Sequence, residues 1–311
     1  YGKRLPLSTL FEAPTIERLA AILDDNKSLP TTSCLVPIQP RGSQPAFFCI
    51  HNPGGQVINY KQLAHHLGAD QPFYGIQAQG LDGKQPIHTT VEEMAAHYMK
   101  EIQTFQPNGP YFLGGFCFGG QIAFEIARRL HAQGEKVALL ALFEAFVRRY
   151  PPSMAPKNSP AVKLLPRLSQ RAIFHTRRLR TMPSKERLSY LLKRATNAKI
   201  LMHLALVRGL GRFCETLGLS LPRALQLRDV TLIHYQAGRT YVPQAYPGNA
   251  VLFLSQEMLE SSAENPSIGW RRLVGGDLEV HKLECDHDDI LLEPAVRSLA
   301  QTLRGYIVNS H

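Results

Sequence analysis

Six residues, Gly114-Gly115-Phe116-Cys117-Phe118-Gly119, constrain the fold of this chain more than any other segment. They set one thiol on a Gly-x-Cys-x-Gly turn. Upstream, Tyr111, Phe112 and Leu113 form a short aromatic and aliphatic run after Gly109-Pro110; downstream, Ile122, Ala123, Ile126, Ala127 and Leu130 recur at helical spacing. The turn is therefore predicted to join a buried strand to an amphipathic helix. A turn this sharp strains its central residue and brings the helix start against the strand, so both flanking positions must be small. Gly115 and Gly119 meet that need. The helix N-terminus adds partial positive charge and free N–H groups, which favour anions and can hold an oxyanion. Cys117 is thus the candidate nucleophile, and acyl transfer is the chemistry such a site supports. The competing reading, a small buried core cysteine, does not explain why the thiol sits between a strand and a helix.

The chain has 311 residues, 44% hydrophobic and 19% charged, which supplies a real core for one large domain or two smaller ones. No run approaches the roughly 18 apolar residues of a membrane helix, and the N-terminus lacks the basic start and apolar stretch of a signal peptide. A cytoplasmic location without a membrane partner is expected. The five cysteines, at 34, 49, 117, 214 and 285, are odd in number, scattered and free of any Cys-x-x-Cys pair. Neither a disulfide framework nor a metal site is expected, and a reducing compartment fits.

From Leu35 onward, short apolar runs alternate with helical stretches, the pattern of an α/β fold with a mainly parallel sheet covered on both faces. Strands are predicted at Leu35 to Ile38, Ala46 to His51, Phe73 to Ile76, Tyr111 to Leu113, Val137 to Phe143, Ala250 to Leu254 and Leu278 to Lys282. Helices are predicted at Tyr60 to Leu67, Val91 to Phe105, Gly120 to Gln133 and Pro294 to Val308, with Thr90 or Thr89 capping the second. Residues 148–228 lack strand-like alternation and are broken by repeated proline and glycine, so they read as a helical insertion. That insertion holds 18 Lys and Arg against 2 Glu, a net of +16, whereas the whole chain is only +10. The basic excess is local. It serves either as a solvated helix face or as a surface for an acidic partner or substrate. Nucleic acid is not expected, because no aromatic-interleaved basic groove accompanies the charge. Before the sheet, residues 5–20 end in a helix and the polar segment 24–34 reads as a linker. A solitary helix ahead of a linker has no domain of its own to pack in, so the chain is expected to be cut from something larger.

A cysteine nucleophile needs a base, and His287 is the best placed of the 12 histidines. It lies in Glu284-Cys285-Asp286-His287-Asp288-Asp289, after a predicted strand and before the last helix. Loops at the carboxyl ends of parallel strands converge, which lets such a base reach the nucleophile. A third group must orient the imidazole. Glu144, at the end of the strand from Val137, is the first choice and Glu257 the competitor, with Asp286, Asp288 and Asp289 behind them. The segment His51-Asn52-Pro53-Gly54-Gly55-Gln56 follows an early strand and offers backbone N–H groups at Gly54 and Gly55 for an oxyanion, alongside that of Phe118. His51 itself reads as structural.

With these residues assembled, the chain resembles the releasing thioesterase domains of nonribosomal peptide and polyketide synthases, of the α/β-hydrolase superfamily. The resemblance covers nearly all of residues 35–311. It rests on His51-Asn52-Pro53-Gly54-Gly55, Gly109-Pro110-Tyr111, Gly115-Phe116-Cys117-Phe118-Gly119-Gly120, Ala123-Phe124-Glu125-Ile126-Ala127 and Tyr246-Pro247-Gly248. It implies that the insertion is a lid over the acyl pocket. It also implies that Leu10-Phe11-Glu12-Ala13-Pro14-Thr15 belongs to the last helix of a carrier domain, whose remnant would be residues 1–23. No cofactor would be bound by the domain itself; the acyl or peptidyl substrate would arrive on the phosphopantetheine of the upstream carrier. Two positions depart from the family pattern. Serine is usual where Cys117 stands and aspartate where Glu144 stands, so the triad reads Cys-His-Glu. The expected reaction ends in hydrolysis or in cyclisation to a lactone or lactam. The rival readings are a type II editing thioesterase, which needs no carrier-like helix, and an inactive interaction module. Arg177, Arg178 and Arg180 are expected to contribute modestly to carrier docking.

Overall fold

The structure, a computed structural model, describes residues 15–24, 33–81, 85–147, 230–262 and 265–310, together with 151, 174–180 and scattered positions between 183 and 216. Seven strands form one sheet: β1 (Leu35–Gln39), β2 (Phe47–Ile50), β3 (Phe73–Ile76), β4 (Tyr111–Phe116), β5 (Val137–Phe143), β6 (Ala250–Ser255) and β7 (Leu278–Leu283). Their spatial order is β1-β3-β2-β4-β5-β6-β7. β1 runs antiparallel to β3 and every other pairing is parallel.

The strands carry near-continuous apolar runs because both faces of the sheet are covered. Phe47, Cys49, Phe112, Ala141 and Phe253 face one core, and Phe48, Ile50, Leu113, Leu142 and Leu252 face the other. The first core is closed by α2 (Lys61–Leu67) and α8 (Ala295–Asn309), through Leu63, Leu67, Val296, Leu299 and Leu303. The second is closed by α3 (Val91–Phe105), α4 (Phe118–Ala132), α5 (Val230–Thr240) and α7 (Pro266–Arg271), with α6 (Gln256–Ser261) following β6. Trp270 of α7 is fully buried, packs on Phe124 with ring centroids 4.9 Å apart, and donates its Nε1–H to the Ala145 carbonyl at 2.9 Å. The indole thereby anchors the chain just past β5.

All seven predicted strands are present. β4 runs three residues further than its apolar run, through Gly114 and Gly115 to Phe116, and α4 starts two residues earlier than predicted. Both shifts arise because the glycines, poor formers of either structure, are held by the sheet on one side and the helix on the other. Thr90 caps α3 in a full capping box: its Oγ1 accepts the Glu93 N–H at 3.1 Å and Glu93 Oε2 accepts the Thr90 N–H at 3.2 Å. Three short helices, α5, α6 and α7, were not expected from periodicity. The insertion expected over 148–228 lies mostly outside the described residues, of which 174–180 are helical; 1–14 and 25–32 also lie outside them, whereas the helix before the linker is present as α1 (Ile16–Asp24). No described helix is long and apolar enough to cross a membrane.

Candidate active site

Cys117 sits between the last residue of β4 and the first of α4, with φ +55° and ψ −108°, a sparsely populated backbone conformation. The surroundings hold it there. Its N–H donates to the Phe143 carbonyl at 2.8 Å, extending the β4–β5 ladder by one step. The residue before it, Phe116, donates its N–H to the Tyr60 hydroxyl at 3.0 Å, and that hydroxyl donates to the Ile50 carbonyl at 2.5 Å. The need for small flanking residues is met as expected. A Cβ on Gly115 would run into the Gly119 backbone, and one on Gly119 would run into the carbonyls of Ile50 and His51.

Glu144 is the first residue past β5 and repeats the pattern, with φ +53° and its N–H on the Phe253 carbonyl at 2.8 Å. The carboxylate is fully buried, which is costly unless every oxygen is engaged. Oε1 accepts the Ser255 N–H; Oε2 accepts the Ser255 Oγ–H at 2.9 Å and faces His287 Nδ1 at 2.6 Å. The histidine ring is hydrogen-bonded on its other side to Cys117, so Nε2 is the nitrogen left for the thiol. It also lies 5.1 Å from the Phe116 ring. Burial pulls the His287 pKa down, but the hydrogen bonds and charge of Cys117 and Glu144 outweigh it and hold the imidazole well above its ordinary range. The ring is thus braced to accept and carry a proton.

The competitors for the orienting acid occupy other places. Glu257 Oε2 accepts the backbone N–H of His287 at 3.0 Å, bracing the loop rather than the ring. Asp286 is ion-paired with Arg178. Asp288 and Asp289 belong to the 3₁₀ turn His287–Asp289, whose Asp289 N–H bonds the Asp286 carbonyl at 3.1 Å. The other described cysteines are poor nucleophiles: burial pushes Cys34 and Cys285 up to about 12 and raises Cys49 as well. Cys214 lies outside the described residues. Among the described residues no group of side chains could hold a metal ion.

Phe118, two residues before the predicted helix start, opens α4, whereas the N–H groups of the loop at 51–55 are engaged within the loop. The Gly54 N–H donates to Asn52 Oδ1 and the Gly55 N–H to the Asn52 carbonyl, both at 2.9 Å. Pro53 has no N–H to offer. Asn52 folds the segment into a turn of the kind asparagine favours, and that turn consumes the two glycine donors assigned to the oxyanion. His51 is structural, as read: it is fully buried with Nε2 against the Tyr98 hydroxyl at 2.9 Å. The parts played by Ser255 and Tyr60 were not read from the sequence, and Arg178, named there only for carrier docking, was not read as a partner of Asp286. Ser255 carried one legible signal, since its Oγ also caps α6 by accepting the Met258 N–H at 3.0 Å.

The family model described as a thioesterase domain matches residues 45–305. Among curated proteins, a dimodular nonribosomal peptide synthase of Bacillus subtilis (strain 168) is 29% identical over 304 residues, covering 97% of this chain and 12% of that protein. The malpinin synthetase of Mortierella alpina is 31% identical over 313 residues, covering 100% of this chain and 4% of the synthetase. The chain thus spans a small part of the length of these relatives. Among solved structures, a four-domain nonribosomal peptide synthetase in its holo form, bound to AMP and glycine, aligns with a TM-score of 0.60 and 26% identity over 98% of this chain and 22% of that one. The NocB thioesterase domain, solved as a covalent complex with a fluorophosphonate nocardicin G analogue, shares the fold with a TM-score of 0.56 at 20% identity, over 88% of this chain and 99% of that one. The matched span contains the elbow of Cys117, the carboxylate behind it and the histidine loop, and the chain belongs to the thioesterase-domain family.

Proposed function

We propose that this chain is the releasing domain of a nonribosomal peptide synthase, which takes an acyl or peptidyl chain from carrier phosphopantetheine onto Cys117. The observation that carries the reading is the His287 ring bridging Glu144, at 2.6 Å, and the Cys117 thiol. The names of the relatives, all synthases or synthetases of which this chain matches a small part, agree with it. In this reading residues 1–23 end a carrier domain, 24–34 link it to the thioesterase domain at 35–311, and 148–228 form a lid.

Cys117 Sγ attacks the thioester carbonyl while His287 Nε2 takes the thiol proton. Glu144 fixes the ring through Nδ1 and stabilises its positive charge. The N–H of Phe118, at the start of α4, holds the oxyanion. The bond to the pantetheine sulfur breaks, and that sulfur leaves with the proton from His287. Water, or a hydroxyl or amine of the chain itself, then attacks the acyl group on Cys117. His287 takes the proton of this second nucleophile and returns it to the Cys117 sulfur, giving a free acid, a lactone or a lactam. A thioester intermediate retains more acyl-transfer potential than the ester that serine would form, which suits a demanding acceptor.

Intact-protein mass spectrometry after incubation with an acyl pantetheine thioester tests the reading. The parent should gain the mass of the acyl group, His287→Ala should gain it more slowly, and Cys117→Ala should gain none. Equal loading of Cys117→Ala would overturn the assignment of the nucleophile. A Cys117→Ser variant with the same product distribution at the same rate would remove any special role for the thiol.

A further inference from the structure

The insertion meets the histidine loop at an ion pair whose carboxylate is the residue before His287. Asp286 is 7% exposed, and Arg178, in the helical segment 174–180, places Nη1 on its Oδ1. The guanidinium is not a loose surface charge. It lies over the rings of Phe174 and Tyr190, 5.9 and 5.8 Å from their centroids. Tyr190 is itself buried, with its hydroxyl 2.6 Å from His175 Nδ1. Stacking on two rings restricts the arginine's rotamers and favours its charge. Loss of a cation from a buried carboxylate weakens its hold there and draws the loop toward water. The Asp286 carbonyl closes the 3₁₀ turn of His287 through Asp289 N–H. Any displacement of Asp286 is therefore passed to the histidine.

We propose that Arg178 is a positioning residue for His287, acting through Asp286, so that the triad is aligned only while segment 174–180 is docked on the histidine loop. The proposal rests on the reading of Cys117, His287 and Glu144 as a triad. It separates Arg178 from its neighbours: Arg177 and Arg180 are exposed, whereas Arg178 turns inward to the catalytic loop. Whatever lifts segment 174–180 would then also loosen the base.

Charge provides a signature that simple loss of packing would not. Cys117 and Glu144 meet the His287 ring, Glu257 takes its backbone N–H, Cys285, Asp286, Asp288 and Asp289 lie in the same loop and turn, and Arg178 is a cation on the insertion side. Without Arg178 the Asp286 carboxylate loses a cation one residue from the imidazole, which favours the protonated ring.

The test uses the full chain, an acyl pantetheine thioester, and the variants Arg178→Met, Asp286→Asn and the two combined. Arg178→Met should lower kcat by about tenfold or more at a temperature where it remains folded, and should move the acid limb of kcat upward. The double variant removes both charges, so the limb should return to its parental position and part of kcat should be recovered, a coupling between neighbours. The proposal is overturned if Arg178→Met keeps kcat within about twofold of the parent with an unmoved limb. It is overturned equally if the double variant is as impaired as the single one. A parent that turns over nothing strikes the underlying triad reading instead.

Discussion

Acidification should weaken this protein through His234, a histidine outside the proposed triad. His234 lies on α5 at 1% exposure, with Nδ1–H on the Pro53 carbonyl at 2.9 Å. Its ring stacks on His51 at 4.8 Å and on Phe118 at 5.1 Å. Burial, the largest cause, lowers its pKa from 6.5 to about 4; the bond to Pro53 resists and the charge of His88 adds. The folded ring therefore stays neutral where the unfolded one takes up a proton. The unfolded state binds more protons between pH 6.5 and about 4, so stability rises with pH across that window. The contribution is complete above the unfolded value and is lost as pH falls toward the folded one. A gap of that width corresponds to about 3 kcal/mol. His51 has the same sign, being lowered by burial and then by His234. The assay is urea unfolding of the parent and His234→Phe at about pH 7 and about pH 4. Phenylalanine keeps the ring stack and gives up the Pro53 bond, about 1 kcal/mol at neutral pH. Carboxylates titrate alike in both proteins, so the variant should lose about 3 kcal/mol less on acidification. Equal losses in the two proteins would refute the assignment.

Replacement of Glu144 by Gln preserves shape but places an amide nitrogen among Ser255 N–H, Ser255 Oγ–H and His287 Nδ1, which need an acceptor; kcat should fall by roughly 10³- to 10⁴-fold in steady-state kinetics. Gly119→Ala should cost far more than Gly134→Ala. The first drives a methyl into two backbone carbonyls; the second meets nothing within 4 Å and costs only its positive φ, about 1 kcal/mol. Thermal unfolding of the two variants side by side checks the order. Trp270→Phe keeps most of the buried ring and orphans the Ala145 carbonyl, for an expected loss of about 1–3 kcal/mol in denaturant unfolding.

Much of the fold was legible because strands buried on both faces write their identity within a few residues. Phe47 to Ile50 and Val137 to Phe143 are apolar throughout because helices cover both sides of them. The short helices α6 and α7 were missed for the converse reason: six residues are too few for a 3.6-residue period to repeat. Cys117 was legible from its glycines, which report a backbone conformation, and His287 from its place between the last strand and the last helix.

The identity of the residues around that pair was decided in three dimensions. Glu144 and Glu257 both follow strands that lie side by side, Phe143 opposite Phe253, so position along the chain gives each a claim to the imidazole. The backbone of Glu144, turned to positive φ, and the two donors of Ser255 put one carboxylate on the ring; Glu257 takes the main-chain N–H behind it. Gly54 and Gly55 look like free donors until the Asn52 side chain closes its turn on them. Arg178 is one basic residue among many until it meets Asp286. The sequence by itself determined the alternation of strands and helices and the elbow at Cys117, because both depend on neighbours along the chain. Only the tertiary structure chose which carboxylate reaches the His287 ring and which arginine reaches Asp286, because those contacts join residues as far apart as Glu144 and His287, 143 positions along the chain, and depend on strand order and side-chain direction that no local pattern records.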